Sequence, residues 1–381
     1  MKEYLKQFEI KGFKSIRDQT INLQPDLNVL IGANASGKSN FIEAFVFVRH
    51  VVDQQLKRYA VEHGGAAQLM HYGSSTTQSL SLSMTFQEQQ RDRVRSYNIH
   101  FISTADDRLA IGKETVSYHK QDRFKHPYTR TITQNRFESR LRDVQALAST
   151  GMLKHIDAYK VFHFHNTTSK APPRLTQNLH ETAELHEDGG NIAAWLYGLA
   201  KSTPGTLTLI ERLVQQVAPT FEVFHLRPNM VAEDHIRLRW RERFSANPMD
   251  VSSMSDGTLR FICLAALLLQ PNPPPVIIID EPELGLHPHA IRILAEMLKS
   301  VATKSQVIVS TQSVTLVNQM SPEAVWCIDR QDGASVFRHL DDDRFKVWLE
   351  DYAQEDYALG DLWEANLVWE DGENSTVIGV P

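Results

Sequence analysis

Two segments far apart in the chain constrain the fold most tightly. The first is the apolar, β-prone run Leu27-Asn28-Val29-Leu30-Ile31. It enters Gly32-Ala33-Asn34-Ala35-Ser36-Gly37-Lys38-Ser39 and leaves through a helix-compatible stretch over residues 40–48. The second is Val276-Ile277-Ile278-Ile279, which ends on Asp280-Glu281-Pro282. A strand, a G-x-x-x-x-G-K-S loop and a helix in that order predict a phosphate-binding loop. Gly32 and Gly37 permit the tight turn, so that successive N–H groups of the loop, through Asn34, Ala35 and Ser36 to Asn40 at the helix start, point at phosphates. Lys38 brings a point charge to the β/γ-phosphates, and the Ser39 hydroxyl suits Mg²⁺. At the end of the second strand, Asp280 is placed to hold the same metal opposite Ser39. Glu281, one residue further, is placed to orient and partly deprotonate an attacking water. The pair of segments predicts a nucleotide-hydrolysis site.

Composition sets bounds on the rest. The chain has 381 residues, 42% of them hydrophobic, enough for one large or two ordinary domains. A net charge of −6 argues against wholesale coating of nucleic acid but allows a local basic groove. Cys263 and Cys327 are the two cysteines, and neither belongs to a C-x-x-C, so no zinc site and no disulfide framework are expected. The first residues lack an apolar signal core, and the apolar stretch 261–269 is too short to span a bilayer. A soluble, cytoplasmic protein without membrane attachment is expected.

Hydrophobic periodicity organises the chain around the two core segments. Residues 5–23 read as two short strands joined around Gly12. Leu80, Leu82, Met84 and Phe86, then Tyr97, Ile99 and Phe101, alternate with polar residues, and a third strand-like run covers 115–118. This pattern predicts an antiparallel sheet with one wet face. Residues 119–142 read as basic and irregular. Helices are expected over 191–201, 206–217, 256–270 and 289–301, and strands over 235–244, 306–310 and 325–328. The expected architecture is one composite α/β domain over 1–381. Residues 1–60 and 250–340 form the nucleotide core, 61–250 form inserted β and helical lobes, and 341–381 form a C-terminal tail.

Several segments admit two readings. Ser255-Asp256-Gly257-Thr258-Leu259-Arg260 stands at a helix start: Ser255 is a good N-cap, and Gly257 allows close backbone approach. It is either a plain capped helix or a second phosphate-facing turn, which in a dimer would close on the γ-phosphate held by the other subunit. Arg237, Arg239, Arg241 and Arg243 could track a phosphate backbone or meet an acidic partner, but a solvated strand edge is the favoured reading. Residues 120–142 interleave Lys and Arg with Phe124, Tyr128 and Phe137, which suits single-strand or protein contact or a polar lobe. Asp341-Asp342-Asp343 precede an amphipathic run and read as helix-capping acid rather than as a metal site.

The order of phosphate loop, S-D-G-T-x-R turn, I-I-I-D-E-P-E-L-G-L-H-P and S-T-Q-S resembles the ABC-type ATPase heads of the RecF, SMC and OLD group. It is most similar to the compact stand-alone AAA15/AAA-21 family of predicted ATPases. Gly12-Phe13-Lys14-Ser15, Asp188-Gly189-Gly190-Asn191-Ile192 and Leu359-Gly360-Asp361-Leu362-Trp363 extend the resemblance over nearly the whole chain. It implies a P-loop NTPase with a split nucleotide core, working as an ATP- and Mg²⁺-dependent homodimer with two composite sites. Lys38, Ser39, Asp280 and Glu281 match the phosphate-loop, metal and base positions. Ser255 and Gly257 match the signature that acts across the dimer, and residues 283–288 match the loop that crosses it. Asp256 and Thr258 depart from the usual L-S-G-G-Q, and a carboxylate there is repulsive to a γ-phosphate unless it turns away. Gln312 stands where transporter-type heads carry a switch histidine; an amide can donate a hydrogen bond but carries no charge, which implies slow hydrolysis. Gln68 and Gln78 are the candidates for the metal-sensing glutamine. There is no heptad array or C-x-x-C hook, and the residues after Gln312 are too few for the nuclease module that OLD proteins append. The expectation is a switch or motor that controls a separately encoded effector or a DNA transaction, as in prokaryotic defence or repair. The alternative is a RecF-like, ATP-gated DNA clamp.

Overall fold

The computed structural model describes residues 3–88, 93–145, 147–340 and 358–364. The acidic cluster at 341–343 lies outside them. The chain opens with β1 (Glu3–Phe13) and β2 (Ile16–Asn22), paired antiparallel. They turn at Lys14, at φ 48°, and not around Gly12. Gly12 lies within β1, where a Cβ would stand 2.6 Å from the Ser79 carbonyl oxygen, so its role is close packing against the neighbouring chain. Next come β3 (Leu27–Gly32), the phosphate loop and α1 (Lys38–Val52). Short helices α2 (Leu56–Glu62) and α3 (Gly65–Leu69) lead to β4 (Ser79–Glu88), β5 (Arg93–Ser103), β6 (Leu109–Lys120) and β7 (Tyr128–Arg136). With β1 and β2 these strands make a six-stranded antiparallel sheet, ordered β2-β1-β4-β5-β6-β7. Along β4 every second residue is buried, as the Leu-Ser-Leu-Ser-Met-Thr-Phe alternation requires. The segment read as irregular, 119–142, contains β7. As the edge strand it is exposed at nearly every position and carries no apolar alternation to reveal it.

After α4 (Leu147–Ala158) and β8 (Tyr159–Phe162), a second lobe contains β9 (Gln177–Asn178), α5 (Ile192–Ser202), α6 (Pro204–Val217) and β10 (Phe221–Phe224). It continues with β11 (His235–Ile236), β12 (Arg239–Glu242), β13 (Met249–Asp250) and α7 (Asp256–Leu268). The strand expected over 235–244 is therefore broken. Ile236 pairs with β9, whereas Trp240 pairs with β10 and β13 in another sheet. The guanidinium row is not continuous either: Arg237 is bidentate to Asp250 and Arg241 to Glu222.

The chain then returns to the centre through β14 (Val276–Asp280), α8 (Pro288–Ala302), β15 (Gln306–Thr311), α9 (Val314–Val317), β16 (Val325–Gln331) and β17 (Ala334–His339). A last helix, α10 (Leu359–Glu364), packs on α9. The central sheet runs β17-β16-β3-β15-β14-β8, parallel except for β17. Its strand β8 comes from within residues 61–250, so the sheet draws on that segment too.

Residues of the central strands alternate between two cores. Val29, Ile31, Ile277, Ile279, Val307 and Val309 face the helices α5 to α8. Leu30, Ile278 and Ile308 face α1 and the antiparallel sheet. A parallel sheet covered on both faces needs such near-continuous apolar runs. Ile277, Ile278 and Ile279 are at most 1% exposed, and each contributes about 1.5–3 kcal/mol relative to exposure. Among the described residues no helix is long and apolar enough to cross a membrane.

Candidate functional site

The C-terminal ends of the parallel strands β3, β15, β14 and β8 meet at one edge, where open parallel sheets form ligand crevices. At the end of β3, Ala35 takes φ 63° and Gly37 φ 117°, and α1 starts directly after. A Cβ on Gly32 would stand 2.3 Å from the Ile328 carbonyl oxygen, and one on Gly37 2.0 Å from Ser335 Oγ. Both glycines are thus required by packing as well as by the turn. Ser335 of β17 closes the loop from behind: its Oγ donates to the Ser36 carbonyl (2.6 Å) and lies 2.7 Å from Ser15 Oγ. Asn40 Nδ2 donates to that same Ser15 hydroxyl at 2.7 Å, so its side chain supports the loop from outside. Asn34, Ala35 and Ser39 are exposed, whereas Ser36 is buried with its Oγ unpartnered.

Lys38 is 4% exposed and folds over the loop, donating to the carbonyls of Gly32 (2.6 Å) and Ala33 (3.0 Å). Burial pulls its ammonium below the ordinary lysine range, a shift opposed by the nearby carboxylates of Glu281, Asp280 and Glu283. A buried cation bonded only to carbonyls, beside an orphaned hydroxyl, fits an anion such as a nucleotide phosphate. Ser39 and Asp280 line one cavity of about 310 Å³, together with Glu43 and His163. An exposed hydroxyl and a carboxylate across that cavity are oxygen donors of the kind Mg²⁺ takes.

Asp280 Oδ1 accepts from Ser310 Oγ at the end of β15. Glu281 takes φ 40°, an uncommon conformation for a residue with a Cβ, and its N–H donates to the Ser310 carbonyl at 2.9 Å. This turn lifts the Glu281 side chain out of the strand to meet Gln312, whose Nε2 donates to Glu281 Oε1. The two positions picked from the sequence thus touch. Glu283, which the sequence reading gave no role of its own, is buried and accepts from Thr311 Oγ1 (2.5 Å) and Gln312 N (3.0 Å). Burial pushes its carboxyl above the ordinary glutamate range in spite of those donors.

Ser255 caps α7 as expected, accepting from the Thr258 N–H at 3.2 Å. Neither Ser255 nor Gly257 lines the Ser39–Asp280 cavity of its own chain. The turn is held from a distance. Arg174, 5% exposed, donates to the carbonyls of Val251 (2.5 Å) and Met254 (3.0 Å) and to Asp256 Oδ1 (2.7 Å). The extra carboxylate at Asp256 is therefore neutralised by a guanidinium. A Cβ on Gly257 would stand 2.5 Å from the Gly285 carbonyl oxygen, so this glycine packs against the loop after β14. Arg260 donates to the carbonyls of Phe164 (3.0 Å) and His165 (3.1 Å), tying α7 to the end of β8. Gln68 and Gln78 do not line the cavity; His163, at the end of β8, does.

A phosphate loop and an acidic strand end at the edge of this split sheet, with a Ser255-capped turn at the start of α7, define an ABC-type P-loop ATPase head. A family model described as "AAA domain, putative AbiEii toxin, Type IV TA system" matches residues 27–318, and the chain belongs to that family. The fold is that of SMC heads. The Smc head domain with an extended coiled coil bound to the C-terminal domain of ScpA, from Pyrococcus furiosus, aligns with a TM-score of 0.60 at 15% identity, over 92% of this chain and 99% of that one. Local sequence matches reach the structural maintenance of chromosomes protein 3 of Saccharomyces cerevisiae, 38% identical over 122 residues, and the DNA replication and repair protein RecF of Lactobacillus johnsonii, 35% identical over 74 residues. These matches cover 31% and 18% of this chain, but 9% of the yeast protein and 20% of RecF. The chain is thus an ATPase head of the SMC/RecF type.

Proposed function

We propose that the protein binds ATP with Mg²⁺ at Ser39 and Asp280, hydrolyses it slowly, and works as a homodimeric switch. The observation that carries this reading is the convergence of Ser39 and Asp280 on one cavity, with Glu281 held beside it by Gln312. Backbone N–H groups from Gly32 to Asn40 would cradle the phosphates, and Lys38 would exchange its two carbonyl contacts for phosphate oxygens. Mg²⁺, when bound, supplies charge neutralisation along the phosphate chain. Glu281 accepts a proton from the attacking water, while Gln312 orients that carboxylate and adds no charge to the transition state. Turnover on the order of one per second or below is expected, against about 1–100 per second for kinases. Ser255 and Gly257 do not line the Ser39–Asp280 cavity of their own chain, and the Ser255 cap is exposed, which supports a partner protomer's Ser255 and Gly257 completing each site. One composite domain of this kind would control a separately encoded effector in a defence or repair role. The pairing of Arg237 and Arg241 with acids weighs against the DNA-clamp alternative.

Lys38→Ala and Glu281→Gln test this reading together. The first should abolish ATP binding; the second should bind ATP, fail to hydrolyse it and accumulate as a dimer. Equilibrium binding and single-turnover phosphate release separate them, and normal turnover by the Gln variant would remove Glu281 from the base role.

A further inference from the structure

His163 and His165 lie two residues apart where the chain leaves β8. In extended backbone that spacing places both imidazoles on one side, opposite the buried Phe164. The parallel pairing of β8 with β14 ends at Phe162 opposite Ile279, so the next residue along each strand is His163 and Asp280. One nitrogen of each imidazole and one oxygen of the carboxylate lie within 4.8 Å of one another. Two ligands at bond lengths of about 2.0–2.2 Å on a single ion are separated by roughly 3.3–4.3 Å, so small side-chain rotations close the set.

All three residues are anchored through groups that coordination leaves alone. The His163 N–H donates to the Glu187 carbonyl at 2.9 Å. Arg260 binds the carbonyls of Phe164 and His165, and Ser310 binds one oxygen of Asp280 and leaves the other. Such second contacts hold ligands in place before an ion arrives. The donor chemistry differs from that at Ser39. Two imidazoles and one carboxylate favour a borderline divalent cation such as Zn²⁺ or Co²⁺, whereas Mg²⁺ prefers oxygen donors.

We propose that His163, His165 and Asp280 form a three-ligand site for a Zn²⁺-class divalent cation, with its open positions towards the nucleotide cavity. His163 and Asp280 both line that cavity, so an ion bound there draws on the carboxylate that Ser39 faces. The site goes beyond the ATPase reading and does not depend on it, because its ligands are together in the nucleotide-free chain. The cysteine pattern could not indicate it.

The test is titration of the nucleotide-free full chain with Co²⁺, followed by visible absorbance and by displacement with Zn²⁺. One equivalent should bind with the ligand-field bands of a nitrogen- and oxygen-coordinated site. His163→Ala and His165→Ala should each weaken binding by at least about tenfold. His119→Ala should leave it unchanged; that imidazole is half-buried on β6 in the antiparallel sheet and contacts the Phe124 carbonyl. Circular dichroism checks folding, and His163→Asn with His165→Asn replaces any alanine variant that unfolds. No stoichiometric Co²⁺ binding by the wild type, or undiminished binding by the double variant, would overturn the site. Either result leaves the ATP-binding and single-turnover tests untouched.

Discussion

The phosphate loop and the turn at Ser255–Gly257 each stand at a helix start, yet they are built in opposite ways. The loop is contiguous: residues 32–39 carry its glycines, its cation and its hydroxyls, and a short serine clamp of Ser15, Ser36 and Ser335 secures it from behind. The turn supplies its Ser255 cap and its own Arg260 but leans on other segments. Its shape depends on Arg174 from another segment, on Gly285 from the loop after β14, and on Arg260 gripping the end of β8. The loop thus carries its own phosphate-facing groups, and distant residues only brace it from behind. The turn is joined to three distant elements, so its shape follows their positions.

The largest expected effect comes from separating the two halves. Ser255→Arg should bind ATP and turn over poorly, while Lys38→Ala should not bind. Mixed together they should recover about a quarter of wild-type activity, because random exchange makes half the dimers mixed, each with one intact site of two. No recovery, despite co-purification of tagged and untagged chains, would place both halves of the site in one protomer.

Arg174→Met cuts the wiring of the turn. Turnover should fall at least about tenfold with ATP binding within about twofold, and unfolding free energy should drop by about 2–4 kcal/mol. If binding and turnover fell together, Arg174 would support the fold at large and the contrast with the loop would disappear. Gln312→Ala should lower steady-state phosphate release a fewfold and Gln312→His should raise it; an alanine variant equal to wild type would put the residue outside the catalytic shell.

The smallest effect lies at Glu283, which touches Gln312 behind the site. Its folded-state pKa is raised, so the folded chain binds the proton more tightly than the unfolded chain does. The corresponding stability is complete below the ordinary glutamate range and is lost as pH climbs through the higher folded value. Glu283→Gln should flatten this part of the stability profile in urea unfolding between about pH 4 and 8. Equal slopes for variant and wild type would show that the carboxyl ionises as it does in the unfolded chain.

What could be read from the amino-acid order follows the same division. The phosphate loop and β14 are contiguous, and their residue types announce them; of the S-D-G-T turn, the Ser255 cap was legible but the contacts that hold it were not. The alternation in β4 likewise announced a half-wet sheet. Edge strand β7 stayed hidden because no buried face marks it, and residues 235–244 broke because Trp240 and Ile236 serve different sheets. Gln68 and Gln78 were sought for a role near the metal. The residue that faces Asp280 is His163, brought there by a strand register that no local pattern encodes. Arg174 was invisible for the same reason, since a lone arginine beside two prolines carries no sign of the turn it will hold.

The clamp on the phosphate loop also sets an order in time. Ser335 reaches Ser15 across 320 residues, and β3 has as its sheet neighbours β15 and β16, both late in the chain. A ribosome adds roughly 5–20 residues each second, so the finished loop segment waits for something like 15–60 s before its supports emerge. During that interval Leu27–Gly32, buried throughout in the complete protein, has no partner on either side. A nascent chain released before β17 would carry every residue of the G-x-x-x-x-G-K-S motif and still lack the framework that gives the motif its shape. The phosphate loop therefore gains its full framework only after β17 has been made, some 300 residues behind it.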